Sequence, residues 1–448
     1  MSFAVLCLAL QVSMPAIQVR IDPRVELLTA AFRLAEADEF NMSASKSPYS
    51  DRLDAYLRPY KDHPAIKMTH QLRDDEGIGF DSVAWLAVHI DGISHPKLIP
   101  GAHKADWKGT WKRPLVDKYL PLLSDFVRDT KFEAFLKSEE PHFKESTKSL
   151  EALLARKPVA VWLQDFFGAA PDKRSYAIVG MLCGGGNYGV SFRYANEEIV
   201  ATPVLGASEF NPNGFPEFGE GSLGLILHEF SHPYVNHVVA DISEIGQHGN
   251  VLYNLTKATL QSNAYEGGEV TTFETFTRAA ENIMLQKWAP QQAENNMLIH
   301  RGKGFLWESD VTDALKEASQ SGKSLKERIR RVVPVLRKLA KNPQQLLDRC
   351  PKAKSLKFSE PDSEGVTTVV IEFDQAMNPT SRGLIISPDK FTIVRKTIFD
   401  SEGRHATVGI RLQKSLAYQF AFNPFGSGYA SASGYPMQPD KRTYVAEK

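Results

Sequence analysis

Leu225–Asn236 reads LILHEFSHPYVN, and the spacing inside it decides what kind of fold has to surround it. His228 and His232 stand four residues apart with Glu229 directly after the first. On a helix such a pair lies on one face, one turn apart, so the two imidazoles can hold one ion together. Glu229 is badly placed to bind that ion but well placed to take a proton from a water beside it. The apolar run in SLGLIL, Ser222–Leu227, predicts a helix whose first turns are buried. Pro233 follows the second histidine, removes a helical hydrogen bond and disfavours helical geometry at His232, which predicts a kink or an end there.

A catalytic zinc takes three protein ligands and keeps its fourth position for water. The pattern HExxHxxGxxH is excluded as the source of the third, because Val235 and Val238 stand where its glycine and last histidine belong. His237 lies nine residues beyond His228, about half a turn away from that face on a continuous helix. A carboxylate from a later helix fits better. In Tyr265–Trp288, Phe273, Phe276, Ala280, Ile283 and Met284 recur at helical spacing, and Glu274, Arg278 and Glu281 share another side. Glu274 is the first choice and Glu281 the reserve; the competing reading of either is a solvated carboxylate paired with Arg278. Tyr265 is a candidate donor to an oxyanion, with Arg278 behind it. The extended run Tyr188–Arg193 can pair with a peptide along a sheet edge.

Outward from the motif the frame is ordinary. The 448 residues carry 53 basic and 53 acidic side chains, so no global field draws nucleic acid or an anionic membrane. Ser2–Ala16 is largely apolar with no basic residue until Arg20, like the core of a secretory signal and too short for a confident membrane span. Cys183 and Cys350 form a candidate bridge once Cys7 leaves with that signal. From Asp22 to about Asn342 the pattern is helical: Asp22 and Pro23 open a helix, and others are predicted at Ser50–Tyr60, Phe80–Ile90, Pro114–Arg128 and Ser146–Ala155. Between Arg174 and Leu205 the runs SYAIVGML, GVSFRY and EEIVATPVL predict strands, turning at GGGN and at Ala195-Asn196. Past Cys350, VTTVVIEFD, FTIVRKTIF, HATVGIRL and YQFAFNPF have the spacing of a small β-sandwich.

Other signals do not carry function. CGGGNYG, Cys183–Gly189, has neither the Lys-Ser/Thr nor the register of a phosphate loop and reads as a tight turn. LKERIRRVVPVLRKLAKN, Leu325–Asn342, is basic but lacks aromatic residues and is interrupted by Pro334, so it reads as a solvated helix face.

HEFSH with Asn236, the later tyrosine and ETFTRA at Glu274–Ala279 resembles a bacterial group of gluzincin metallopeptidases carried mainly as a domain of unknown function. VELLTAAFRLAEADEFN, Val25–Asn41, resembles the opening helix of that group, so the similarity spans residues 18–340. The resemblance implies His228, His232 and Glu274 as zinc ligands and Glu229 as the base. FDQAMNPTS at Phe373–Ser381 and GYASASGYPMQP at Gly428–Pro439 resemble immunoglobulin-like modules appended to bacterial exported proteins. The expected fold is therefore α+β: a signal at 1–16, a mainly helical zincin-like region with a small sheet at 17–350, and an all-β immunoglobulin-like sandwich at 351–448. The expected function is that of a secreted or periplasmic zinc peptidase acting on a peptide or protein. The alternatives are an inactive protein of the same fold that binds a surface polymer or protein through its sandwich, and a purely structural zinc protein.

Overall fold

The computed structural model describes residues 17–100, 102, 111–168, 175–193, 199–424 and 428–446; the expected signal Ser2–Ala16 and the turn at Ala195-Asn196 lie outside them. The architecture is α+β, as the sequence predicts. The chain forms two compact units, residues 1–234 and 235–448, and the boundary falls within one helix.

In the first unit, strand β1 (Gln18–Arg20) leads into helix α1 (Pro23–Leu34), whose N-cap Asp22 accepts the Arg24 N–H at 3.0 Å. Val25, Leu27, Leu28, Ala31 and Phe32 are fully buried on α1. Helix α2 (Pro48–Leu57) starts two residues before the predicted Ser50, because Ser47 and Ser50 close a reciprocal capping box ahead of that point. Helices α3 (Pro64–Asp74), α4 (Asp81–Val88), α5 (Arg113–Thr130), α6 (Phe132–Ser146), α7 (Lys148–Arg156) and α8 (Val159–Phe167) complete the helical layer. Strands β2 (Tyr176–Gly180), β3 (Ser191–Arg193), β4 (Ile199–Ala201) and β5 (Val204–Gly206) follow. A parallel sheet runs β1-β2-β5, with Val19 opposite Ala177 and Val179 opposite Leu205, and β2 is buried throughout as a central parallel strand must be. β3 and β4 form a separate antiparallel pair.

Helix α9 (Leu223–Ala240) carries HEFSH and corrects one expectation: it does not end at Pro233. Pro233 withholds the N–H that would have met the Glu229 carbonyl, but the ladder resumes, and the Asp241 N–H still reaches the His237 carbonyl at 3.1 Å.

The second unit continues with α10 (Ser243–Leu255), α11 (Lys257–Ser262), α12 (Gly268–Trp288), α13 (Pro290–Gly302), α14 (Glu308–Ser319), α15 (Leu325–Lys341) and α16 (Gln344–Leu347). Its strands are β6 (Ala353–Phe358), β7 (Thr367–Phe373), β8 (Leu384–Ser387), β9 (Phe391–Phe399), β10 (His405–Leu412), β11 (Ala417–Phe422) and β12 (Asp440–Val445). They make two antiparallel sheets, β6-β7-β10-β9 and β12-β11-β8, around one core holding Val369, Ile371, Val408, Phe420 and Phe422. Lettered A to G, the orders are ABED and GFC, the arrangement of a constant-type immunoglobulin domain. Tyr418 near the start of β11 makes the corner that such domains use: its hydroxyl accepts the Gln413 N–H at 2.9 Å and donates to the Lys390 carbonyl at 2.5 Å. Two residues on, where antibody domains place a cysteine, stands the fully buried Phe420. The loop before β12 is seated on α13, where the Arg301 guanidinium donates to the Ser433 carbonyl at 2.9 Å and lies over the Tyr435 ring.

Cys183 and Cys350 are not bridged: both are free, buried thiols. Each is held by its own surroundings, Cys183 packed under Gly180 and Cys350 donating to the Leu346 carbonyl. Burial pushes both thiols up, that of Cys350 to about 11.

Glu26 is a buried carboxyl that couples this fold to pH. Its carboxylate is fully buried on α1, accepting from the Tyr49 hydroxyl at 2.7 Å and the Met181 N–H at 3.3 Å. Burial raises its pKa from 4.5 to about 7, and those two hydrogen bonds offset only part of that rise. A raised carboxyl pKa contributes stability that is complete below 4.5 and lost as pH climbs through 7. Glu26→Gln should therefore gain on the native protein across that window, by on the order of a few kcal/mol, and hold the gain above it. Urea unfolding of both proteins from pH 4 upward measures the difference, and parallel curves would refute it.

Candidate metal centre

Helix α9 presents His228 and His232 one turn apart, and their Nε2 atoms stand 3.1 Å from each other with the rings nearly perpendicular. Two nitrogens on one tetrahedral zinc at ordinary bond lengths would be separated by about 3.3 Å. Glu274, on α12, completes a group in which one ligand atom from each of His228, His232 and Glu274 lies within 4.8 Å of the others. Two imidazoles and a carboxylate are a donor set that suits a divalent transition ion. A metal ion can thus be held here by the residues the sequence singles out.

Glu281, the reserve ligand, is not part of this group. Seven residues beyond Glu274 on the same helix, it sits about 10 Å further along the axis. It is buried there and accepts from the Asn296 side-chain amide at 2.6 Å. Glu229 is buried beside His228. Tyr265 lies in the turn before α12, its ring edge-on to Phe305 at 5.2 Å and its hydroxyl accepting from Arg278 Nη2 at 2.6 Å. The same nitrogen donates to Glu274 Oε2 at 2.8 Å. Burial works against the Arg278 charge, but Tyr265, Glu274, Glu308 and Glu281 together hold its pKa above the usual arginine range.

The residue the sequence reading missed is Gly189. A Cβ at this position would stand 2.6 Å from His232 Cβ, 2.7 Å from the Glu229 carbonyl oxygen and 2.8 Å from His232 Cδ2. The chain between Tyr188 and Ser191 therefore lies flat against the motif turn, over the carbonyl whose helical donor Pro233 withholds. Tyr188 fixes that segment through paired backbone hydrogen bonds with Val204 at 2.9 Å. The sequence does signal a glycine between two β-rich runs, but bulk exclusion by a partner far along the chain has no local pattern.

A methyl group at 189 must displace either the His232 ring or the helix backbone, since carbon and oxygen atoms do not approach so closely. Gly189→Ala is expected to weaken divalent-metal binding ten-fold or more with helix content unchanged. Zinc titration against a chromogenic chelator, with circular dichroism alongside, tests this; native affinity in the variant would refute the steric argument.

Among the described residues no helix is long and apolar enough to cross a membrane. No curated protein matches the sequence. Two solved structures of an S-layer protein, SbsC, align weakly: rSbsC(31-844) at 10% identity and a TM-score of 0.19, and domains 1-6 at 14% identity and a TM-score of 0.17. The alignments cover 49% and 53% of this chain but only 34% and 35% of those, so it spans about a third of their length. Residues 17–330, which include the helices bearing His228, His232 and Glu274, match a domain of unknown function (DUF4932), and to that family this chain belongs.

Proposed function

We propose that the protein is a zinc-dependent, gluzincin-like peptidase. The observation that carries the reading is the convergence of His228, His232 and Glu274 within 4.8 Å, with a buried glutamate directly after the first histidine. A zinc ion held by these three side chains would polarise a scissile carbonyl and make a nearby water more acidic. Glu229 takes a proton from that water as its oxygen forms the new bond to the carbonyl carbon. When the carbon–nitrogen bond breaks, Glu229 returns the proton to the leaving amine. Tyr265, whose hydroxyl accepts a hydrogen bond from Arg278, is the donor assigned to the oxyanion. Beyond Gly189, β3 pairs on one side with β4, and among the described residues no strand pairs with its other edge. That edge would suit an extended peptide.

The signal-like Ser2–Ala16 and the immunoglobulin-like module support a secreted or periplasmic setting and a peptide or protein substrate. The buried glutamate directly after His228, placed to act as a base, is what favours turnover over the inactive and the purely structural alternatives.

Elemental analysis and a peptide-library assay test the reading together. Native protein and Glu229→Gln should each hold about one zinc per chain, His228→Ala should hold none, and Glu229→Gln should lose about 10²- to 10⁴-fold in turnover. Native protein that takes up no zinc on incubation, or Glu229→Gln that cleaves as well as native, would overturn it.

A further inference from the structure

Arg278 is almost wholly buried, yet both hydrogens of one nitrogen are committed to groups that the proposed reaction uses, Glu274 and Tyr265. The guanidinium rests on the face of Phe305 at 4.6 Å, and its distance to the Tyr265 ring centre is 5.3 Å. Phe305 is fully buried and packs edge-on against both Tyr265 and Trp307. Trp307 in turn donates its indole N–H to Thr275 Oγ1 at 2.8 Å, on α12 one residue from Glu274. The arginine is therefore clamped between a helix and an aromatic floor that is itself bonded back to that helix. A salt bridge on an exposed helix face has no such support and contributes little.

We infer that Arg278 is a positioning residue: it fixes Glu274 as a metal ligand and, through the same nitrogen, sets the orientation of the Tyr265 hydroxyl. The inference rests on the metal-dependent reading above. One oxygen of Glu274 is held by the guanidinium, while the carboxylate also brings a ligand atom within 4.8 Å of those of His228 and His232. Outer partners of this kind typically change metal affinity 10- to 100-fold. The rival is that the Arg278–Glu274 pair is closed on itself and competes with the ion for the carboxylate. The two predict opposite signs for the loss of the arginine.

The experiment uses the full chain stripped of metal and titrated with Co²⁺, whose visible absorption reports coordination, and with Zn²⁺ in competition with a chelator. Arg278→Ala is expected to bind 10- to 100-fold more weakly, with an altered cobalt spectrum. Arg278→Lys keeps a charge but not the planar fork. It should lose less than the alanine variant and remain folded by circular dichroism, so it decides the matter even if Arg278→Ala fails to fold. Tyr265→Phe, which deletes one of the two bonds, should show the smallest loss. A purely structural arginine would lower the melting temperature of the metal-free protein and leave the affinity and spectrum of the folded variants unchanged. That result, or tighter binding in either arginine variant, overturns the inference while leaving the peptidase reading standing. A native chain that binds neither metal overturns both.

Discussion

Two imidazole nitrogens 3.1 Å apart with a carboxylate oxygen close by form an arrangement that a protein does not hold without support. Lone pairs brought together in a partly buried place repel unless a proton or a cation lies between them, and each group has given up water to be there. Rigid surroundings fix both parts of the set. On the histidine side the backbone at Gly189 leaves no room for the His232 ring to retreat. On the carboxylate side Arg278 holds one oxygen of Glu274 from a bed of aromatic rings. Pre-formed geometry of this kind lowers what binding an ion must spend on ordering its ligands.

Much of this was legible because it is local. The four-residue spacing of the histidines, the Asp22 cap and the Glu274–Arg278 neighbourhood are all relations within a turn or two of helix, where sequence distance fixes spatial distance. The regular spacing of the β-rich runs past Cys350 exposed the sandwich in a similar way, and burial along Thr367–Phe373 alternates as a two-faced strand requires. The choice between Glu274 and Glu281 could not be made from periodicity, since residues seven apart share a helix face and differ only in height along it.

What stayed hidden depends on distant partners. β1 is three residues long, too short to show a period, and is defined by pairing with a strand beyond eight helices. Gly189 carries no local mark of the ring it must avoid. Pro233 misled for the opposite reason. The local rule describes a lost hydrogen bond correctly, but the turns on either side of the proline keep their own bonds and the helix runs on.

The C-terminal sandwich places Phe420 where antibody domains of the same strand order carry half of a disulfide, and Tyr418 ties the adjoining corner through hydroxyl and backbone. Its two sheets are held together by packing. With Cys183 and Cys350 both buried as thiols, no covalent staple contributes to the stability of the described fold. Folding of the sandwich, which contains no cysteine between residues 351 and 448, is therefore indifferent to the redox potential around it, and a reducing host cell and an oxidising one should yield the same sandwich.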